Sequence, residues 1–483
     1  MEAGIGQDGP VREVQVGTLH IDRLGSVLPP DRLASFEKLA AGAREQLAGR
    51  VVWNINSTAT GGGVAEMLQT LLAYARGAGV DARWLVIRAD PRFFAITKRL
   101  HNVLHGEPGD GGGFGPSERE HYERVLAANV DALRERVGPR DIVLVHDPQP
   151  AGLLPALRSW HVPAVWRCHI GRDTPNAYTA AGWDFLRPYV ESADRFVFSR
   201  SRYRPDWVDP LRTSVIPPSI DPFATKNREL AADEATRILD LAGLVQAPTP
   251  AEPMPFVRPD GTPGLVQRHA GVLQGGEDPP SLTARLVVQI SRWDRLKDMP
   301  GVLAGFVDHV VPHSDAHLIL AGPAVAGVGD DPEGAQVLAE CLADWKQLPE
   351  GVRQRVHLAC IPMRDPDENA LVINALQRHA AVVVQKSLVE GFGLTVSEAM
   401  WKARPVVASA VGGIRDQIVS GREGLLLDDP EDRAEFGSAV RCVLDEAILA
   451  QRLGAAARSR VLAEFLGDRH LRQHAELLAG LPG

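Results

Sequence analysis

The stretch AAVVVQKSLVEGFGLTVSEAMWKARPVVAS, residues 380 to 409, decides the fold class of this chain. Apolar runs of strand length stand at 380–385 and 404–409, and between them a glycine-rich turn leads into LTVSEAMWK, which we predict to be helical. A strand, a helix and a second strand in this order form a βαβ unit, whose strands lie parallel under a covering helix. The stretch therefore predicts an α/β fold with a parallel sheet.

The same alternation of short apolar runs and helical patterns extends through most of the chain. In the N-terminal half the predicted strands are RVVWNIN, DARWLVIRA, DIVLVHDP, AVWRCHI, RFVFS and TSVIPP. In the C-terminal half they are RLVVQIS, AHLILAG, RVHLAC, AAVVVQ, RPVVAS and EGLLLD. Two sets of this kind in tandem predict two Rossmann-like, doubly wound domains.

The breaks in this alternation suggest where the domains begin and end. We expect an N-terminal domain over residues 1–222, a C-terminal domain over 223–455, and a final helical segment, 456–483, that packs back on the N-terminal domain. Residues 246–280 are dense in Pro and Gly and have no clear period, so we predict either a long loop or a partly ordered insertion there.

Charge and cysteine content restrict the partners and the compartment. The net charge of the 483 residues is −9, which argues against general binding to nucleic acid or to anionic membranes. The four cysteines show no CxxC spacing, so neither disulfides nor a zinc site is expected. The N-terminus lacks a signal-peptide pattern, and no apolar run is long enough to span a bilayer. We therefore expect a cytoplasmic protein.

Two carboxylates flank the glycine-containing turn of the opening stretch. Glu390 precedes Gly391-Phe392-Gly393, and Glu398 follows within the predicted helix. A carboxylate only accepts hydrogen bonds, so pairs of sugar or ribose hydroxyls are suitable partners for it. Each residue also has an ordinary interpretation, because Glu390 could complement the helix dipole and Glu398 could lie on a solvated helix face. The complete pattern is more specific than either carboxylate alone.

Cations and further glycines follow other predicted strands. Arg292 and Lys297 come directly after RLVVQIS, at the end of a strand where open α/β sheets bind ligands, and together they can hold a diphosphate. Alternatively, they belong to a solvated basic loop. Gly61 to Gly63 lie between a strand and a helix, where exposed amides and the helix dipole can bind an anion. A tight turn that only needs glycine is the other interpretation.

With these motifs together, the chain resembles the retaining GT-B glycosyltransferases of family GT4. The segments NSTATGGGVAEML, FFAITKRLHNVLHG, VHDPQPAGL, WRCHI, PPSIDPFATKNREL and VGGIRDQI, together with the opening stretch, resemble the branch that contains trehalose synthase (glycosyltransferring) and trehalose phosphorylase. The resemblance covers about residues 48 to 475. It implies a GT-B fold in which an acceptor-side N-terminal domain and a nucleotide-sugar C-terminal domain face a central cleft.

The resemblance also implies roles for individual residues. Arg292 and Lys297 would neutralise the leaving diphosphate, Glu390 would bind the transferred sugar, and Glu398 would bind the ribose. His169 matches the active-site histidine of the family, although a lone histidine in WRCHI could also be a packed polar residue. The donor-binding residues implied are Gly61, Gly62, Gly63, Gly391, Phe392, Gly393, Leu394, Thr395 and Glu398.

The reaction implied is transfer of a hexose, with glucose expected, from a nucleoside-diphosphate sugar to a small hydroxyl acceptor. Glucose as acceptor would give trehalose. The alternatives are a trehalose phosphorylase, a tailoring glycosyltransferase for a specialised metabolite, and a GT-B shell that only binds a ligand. The base of the nucleotide stays open, because backbone groups often hold it.

Neither a cofactor nor a metal ion is implied by the resemblance, because Arg292 and Lys297 would supply the positive charge. The chain does contain one DxD, Asp365-Pro366-Asp367, and we interpret it as a helix cap rather than a metal-binding motif. The expected partners are a sugar nucleotide and a small acceptor, without nucleic acid or membrane. A homodimer is left as an alternative to a monomer.

We predict that Arg292→Ala and Lys297→Ala each lower turnover by about 10²-fold, by analogy with the loss of one preorganised charge-stabilising donor. Folding should change little, since both residues lie on a loop. Turnover of a nucleotide sugar, with thermal unfolding measured in parallel, tests this. Near-normal turnover in the double variant would show that the phosphates bind elsewhere.

Overall fold

The computed structural model describes residues 11–59, 63–276, 278–324 and 332–481, and within them it forms two compact units. The first unit contains residues 11–219 together with 465–481, and the second contains residues 220–464. The division therefore falls between residues 219 and 220 and between residues 464 and 465. The boundaries expected from the sequence were 222 and 455.

A seven-stranded sheet forms the centre of the first unit in the described part of the chain. Its strands are β1 (Val11–Val14), β2 (Val52–Asn56), β3 (Ala82–Ile87), β4 (Ile142–His146), β5 (Ala164–Cys168), β6 (Arg195–Phe198) and β7 (Thr213–Val215). They lie in the order β1-β3-β2-β4-β5-β6-β7, and all neighbours are parallel except β1 with β3. The edge strand β1 was not predicted from the sequence.

Both faces of this sheet are buried, which is why its strands are almost continuously apolar. Trp53 and Val143 face one core, whereas their neighbours Val52 and Ile142 face the other. The helices that cover the faces are α1 (Pro30–Gln46), α2 (Gly63–Gly77), α3 (Pro91–Leu104), α4 (Pro116–Arg134), α5 (Leu154–Ser159) and α6 (Ala177–Val190). Trp53 and Trp166 lie in the core.

The second unit repeats this architecture around its own seven-stranded sheet, counted over residues that the structure describes. Its strands are β8 (Met254–Val257), β9 (Pro263–Val266), β10 (Leu273–Gln274), β11 (Leu286–Ile290), β12 (His317–Pro323), β13 (Val356–Ile361), β14 (Val382–Gln385), β15 (Val406–Ser409) and β16 (Leu425–Leu427). The sheet order is β10-β13-β12-β11-β14-β15-β16, with β10 antiparallel, and β8 pairs only with β9.

Helices surround the second sheet on both faces. They are α7 (Ala232–Leu241), α8 (Met299–His309), α9 (Pro332–Gln347), α10 (Glu350–Arg353), α11 (Pro366–His379), α12 (Leu394–Trp401), α13 (Ile414–Gln417), α14 (Arg433–Asp445) and α15 (Ala447–Glu464). Short 3-10 helices stand at Ile21–Ser26, Ala151–Leu153, Ser201–Tyr203, Pro210–Arg212 and Arg295–Lys297. None of the helices among the described residues is both long enough and apolar enough to cross a membrane.

The segment 246–280 contains regular structure, namely the antiparallel hairpin β8–β9 and the edge strand β10. Met254 and Phe256 are buried whereas Pro255 and Val257 are exposed, so the hairpin does have the period of two that a half-buried strand requires. Its turn contains Asp-Gly, a favourable hairpin sequence, with Gly261 at φ +83°. Of the two alternatives, the structure therefore agrees with a partly ordered insertion and not with a long loop.

The hairpin is held against the DxD segment. Arg258 Nη2 lies 2.5 Å from Asp365 Oδ2. The other Asp365 carboxylate oxygen accepts hydrogen bonds from the backbone N–H groups of Asp367 and Glu368, at 3.0 and 3.3 Å. Asp365 is therefore the N-cap of α11, and the interpretation of the DxD as a helix cap is confirmed.

The last helix of the chain, α16 (Gly467–Ala479), belongs to the first unit and packs against α1. Asp468 in its first turn is 1% exposed and accepts two hydrogen bonds from Arg32 of α1, at 2.6 and 2.8 Å. Paired bonds between a guanidinium and a carboxylate fix both distance and orientation. This ion pair therefore fastens the last helix to the body of the first unit.

We predict that Arg32→Met destabilises the first unit by about 3 kcal/mol, because it leaves the buried carboxylate of Asp468 without its charged partner. Urea unfolding of the full chain, followed by tryptophan fluorescence, measures the change. Arg472→Met is the matched control, since Arg472 lies on the same helix as Asp468 but contacts Ser35 Oγ, at 3.5 Å, instead of a carboxylate. Equal losses in the two variants would contradict the prediction.

Candidate active site

Two neighbouring strands of the second unit place the predicted donor-site residues together. Strands β11 and β14 pair in parallel, with Val287 opposite Val382, so their carboxyl ends meet at one edge of the sheet. The loop after β11 carries Lys297, and the loop after β14 carries Glu390. The Nζ atom of Lys297 lies 2.6 Å from Oε2 of Glu390. The structure thus joins two residues that the sequence had assigned to different parts of a ligand.

This ion pair is largely shielded from water. The side chains of Lys297 and Glu390 are 17% and 12% exposed, and Ser387 Oγ donates a further hydrogen bond of 3.3 Å to the same carboxylate oxygen. Shielding from solvent strengthens the attraction between the two charges. A phosphate that binds Lys297 or a hydroxyl that binds Glu390 therefore has to compete with an existing contact.

Arg292 lies at the more open part of the same loop. Its side chain is 56% exposed, and its Nη2 atom donates a hydrogen bond of 3.0 Å to Asp294. Asp294 in turn accepts a hydrogen bond from the Leu296 backbone at 2.9 Å and so fixes the start of the 3-10 helix that ends at Lys297. The guanidinium is thus tethered at one end but accessible to a ligand from solvent.

The glycine turn has its carbonyl groups directed into the protein. The Gly391 carbonyl accepts a hydrogen bond from the Gly413 N–H at 3.0 Å, and the Phe392 carbonyl accepts one from Gln417 Nε2 at 2.5 Å. In a trans peptide the C=O and the following N–H point in opposite directions. The N–H groups of Phe392 and Gly393 therefore point away from the side on which Gln417 and Gly413 lie.

Glycine is required at two positions of this arrangement. Gly393 has φ +84° and forms the N-cap of α12, and a Cβ atom on Gly413 would lie 2.6 Å from the Cα atom of Phe392. Leu394 and Thr395 then begin α12, and Thr395 Oγ1 donates a hydrogen bond of 3.1 Å to Gln385. The start of the helix is thus anchored to the end of β14.

Glu398 is not the surface glutamate that was left as an alternative. It lies in α12, is 3% exposed, and has its Oε1 atom 3.3 Å from Nζ of Lys226. Lys402, one turn later, is also buried and donates hydrogen bonds to Gln377 at 2.6 Å and to Asn227 at 3.2 Å. Lys226 therefore contacts the Glu398 carboxylate, whereas Lys402 donates a hydrogen bond of 3.2 Å to the Glu398 backbone carbonyl.

Burial lowers the pKa of Lys402 to about 7, and the nearby Glu398 carboxylate opposes that shift. Desolvation disfavours the charged ammonium, so a buried lysine titrates below its usual range. Lys402 was not predicted to be part of the site. Its position four residues after Glu398, one helical turn along α12, was the available signal.

In the first unit, His169 follows the end of β5 and contacts two residues from the end of β4. Its imidazole ring stacks on that of His146, with centroids 5.6 Å apart, and its backbone N–H donates a hydrogen bond of 2.7 Å to Asp147 Oδ1. Burial, together with the nearby Arg167 charge, lowers the pKa of His169, so the ring is neutral near pH 7. His169 is thus fixed at the carboxyl edge of the sheet.

Asp147 was not singled out from the sequence, although VHDP places it directly after a strand. It adopts a left-handed conformation, with φ 66°, and burial raises its pKa to about 7. A non-glycine residue in this conformation at the end of a strand is typical of functional sites. Of the predicted glycines, Gly63 begins α2 and is exposed, whereas Gly61 and Gly62 lie outside the described residues.

The free energy of unfolding of the wild-type protein should increase with pH, and we predict that Lys402→Met abolishes this increase. The folded-state pKa of Lys402 is about 7, below the usual lysine value of 10.5, so between these values the unfolded chain binds more protons and stability increases with pH. The slope is at most about 1.4 kcal/mol per pH unit. Urea unfolding at several pH values from 6 to 9 measures it.

Lys346→Met is the control for this prediction, because Lys346 is an exposed lysine on α9 of the same unit. It should keep the wild-type slope. An unchanged slope in Lys402→Met would show that the lysine titrates normally in the folded protein.

Comparisons with known proteins agree with this fold and its sequence motifs. Residues 54–205 match the family described as trehalose synthase, N-terminal domain, and residues 363–460 match glycosyl transferases group 1. The trehalose synthase of Pyrococcus horikoshii is 33% identical over 98% of this chain and 99% of its own length. The trehalose phosphorylase of Pleurotus pulmonarius is 25% identical over 81% of this chain, but that match covers 52% of the fungal protein.

A solved structure described as trehalose-6-phosphate from E. coli bound with UDP-2-fluoro glucose has the same fold. It superposes with a TM-score of 0.64, covers 88% of this chain and 98% of its own, and is 16% identical in sequence. The GT-B fold and the trehalose-related resemblance inferred from the motifs are thereby confirmed. The chain belongs to the trehalose synthase family of GT-B glycosyltransferases.

Proposed function

We propose that the protein is a retaining glycosyltransferase that moves glucose from a nucleoside-diphosphate sugar to a small hydroxyl acceptor, and that glucose as acceptor gives trehalose. The observation that carries the proposal is the contact of Lys297 with Glu390 beside the turn at Gly391–Gly393. Lys297 is suited to bind phosphate and Glu390 to bind sugar hydroxyls, and the two lie beside each other there.

The proposed reaction separates charge at the anomeric carbon. The bond between that carbon and the diphosphate oxygen breaks, and the diphosphate takes the electron pair. The acceptor oxygen forms the new bond on the same face of the sugar, and its proton passes to the departing diphosphate. Arg292 and Lys297 stabilise the negative charge that develops on the leaving group, which is the largest contribution that a preorganised site can make.

We propose that these two cations replace a metal ion and that no cofactor is needed. Arg292 can hold two phosphate oxygens with its planar guanidinium, whereas Lys297 acts as a compact point charge. The ion pair with Glu390 gives Lys297 a position in advance of binding. When a phosphate group replaces Glu390 as the partner of Lys297, the Glu390 carboxylate can bind the hydroxyls of the transferred sugar.

Residues of the first unit are proposed to act on the acceptor side. Neutral His169 can donate or accept a hydrogen bond to a sugar hydroxyl. The Asp147 carboxyl has a pKa of about 7, raised by burial, so it can accept or donate a hydrogen bond near neutral pH. The expected partners are thus a sugar nucleotide and a sugar-sized acceptor.

A trehalose phosphorylase is the second candidate, supported by the match to the fungal phosphorylase. That reaction would split a disaccharide with inorganic phosphate, and the cations that bind a diphosphate could also bind phosphate. It would leave the buried carboxylate of Glu398 without a ribose to bind. Turnover of trehalose and phosphate without any nucleotide would favour this candidate.

We predict that Glu390→Gln and Glu398→Gln separate the two ends of the donor. Glu398→Gln should lower the affinity for a nucleoside diphosphate by about 10- to 100-fold, since one charge-assisted hydrogen bond to the ribose is lost. Glu390→Gln should leave that affinity equal or tighter, because Lys297 loses its competing carboxylate, but should lower turnover by a similar factor. Calorimetry with UDP, ADP and GDP, followed by turnover with glucose, measures both effects.

Glu340→Gln is the matched control, because Glu340 lies in the same unit and pairs with the exposed Arg295. It should change neither affinity nor turnover. The assignment is wrong if Glu390→Gln weakens binding of the nucleoside diphosphate as much as Glu398→Gln does.

A further inference from the structure

Lys386 is a buried lysine at the edge of the candidate site, and the roles described so far do not use it. It directly follows β14, its side chain is 1% exposed, and its Nζ atom forms an ion pair with Asp298 Oδ2. A buried ammonium is costly unless it is paired. Its carboxylate partner is the residue next to Lys297 in the chain.

Asp298 has an unusual backbone conformation that this ion pair helps to hold. Its φ and ψ are 50° and 43°, in the left-handed region that non-glycine residues avoid at a cost of about 1–2 kcal/mol. The Asp298 side chain also accepts a hydrogen bond of 3.1 Å from the Gly301 N–H, as the N-cap of α8. The chain therefore turns sharply between Lys297 and α8, with the Asp298 carboxylate held from two sides.

Gln289 connects the same two loops through the backbone. Its Nε2 atom donates a hydrogen bond of 2.7 Å to the Lys297 carbonyl, and its Oε1 atom accepts one of 3.0 Å from the Lys386 N–H. Gln289 is fully buried. A third link is the hydrogen bond of 2.8 Å from the Leu388 N–H to the Leu296 carbonyl.

We infer that Lys386 is a positioning residue that holds Lys297 in the geometry required for phosphate binding and leaving-group stabilisation. Its ammonium fixes Asp298, and Asp298 fixes the direction in which Lys297 leaves the backbone. Without the ion pair, the left-handed turn can relax and Lys297 moves relative to Glu390. A displacement of about 1 Å at a reacting group can cost about 10²-fold in rate. The inference rests on the proposed function, whose leaving group is a diphosphate.

The variants are Lys386→Met, which removes the charge, and Asp298→Asn, which keeps the N-cap and tolerates the left-handed conformation but loses the ion pair. We expect Lys386→Met to lower kcat by about 10- to 100-fold and Asp298→Asn to lower it in the same direction. Val356→Ala is the control for destabilisation alone, since Val356 is buried at the start of β13, the opposite end of the sheet from the site, and it should keep kcat.

A double-mutant cycle distinguishes positioning from general damage, because a residue that acts through Lys297 has no effect once Lys297 is gone. Lys386→Met should therefore change kcat less than about 2-fold in a Lys297→Met background. An equal loss in both backgrounds overturns the inference, as does a normal kcat in folded Lys386→Met. A crystal structure of Lys386→Met that keeps the Asp298 conformation and the contact of Lys297 with Glu390 would also overturn it.

Calorimetry with inorganic pyrophosphate separates this inference from the proposed function. If the wild-type protein binds pyrophosphate but transfers no sugar, the proposed function fails, and a loss of pyrophosphate affinity in Lys386→Met still supports the positioning role. If sugar is transferred and Lys386→Met behaves as wild type, only the inference fails. If the wild type binds no pyrophosphate, both fail.

Discussion

The parallel pairing of β11 with β14 is the constraint on which the candidate donor site depends. These strands are far apart in the chain but adjacent in the sheet, so the loops that follow them meet at one edge. Lys297 lies on one of these loops and Glu390 on the other, and the two side chains form an ion pair. A change in strand order would place the same residues at different points of the sheet edge.

The second unit also buries several charged side chains in and behind the candidate site. Lys386, Lys402 and Glu398 are each almost inaccessible to solvent, and each contacts a partner of opposite charge or an amide. Groups of this kind have few alternative positions, because leaving any of them unpaired is costly. The polar side chains of the site are therefore held by a network rather than by the flexibility of exposed loops.

Much of the fold and part of the site were readable from the sequence for physical reasons. Strands buried on both faces leave continuous apolar runs, which is why β4, β11 and β14 were predicted. The hairpin β8–β9 was missed because its two half-buried strands are short. Each shows only a brief alternation of buried and exposed residues, and the surrounding Pro and Gly residues obscured it. At the site, residue types indicated Arg292, Lys297, Glu390 and Glu398. The partner contacts of Lys386, Gln417 and Asp147 depend on residues distant in sequence, so no local pattern could indicate them.

The return of α16 to the first unit has a mechanical consequence. Both described ends of the chain, at residues 11 and 481, belong to that unit, whereas residues 220–464 form a continuous insertion within it. A force that pulls on the C-terminal end, as an unfolding protease does, first acts on α16 and on its bonds to Arg32 and Arg167. The force reaches the second unit, and with it the candidate donor site, only after α16 has been pulled away from the first unit.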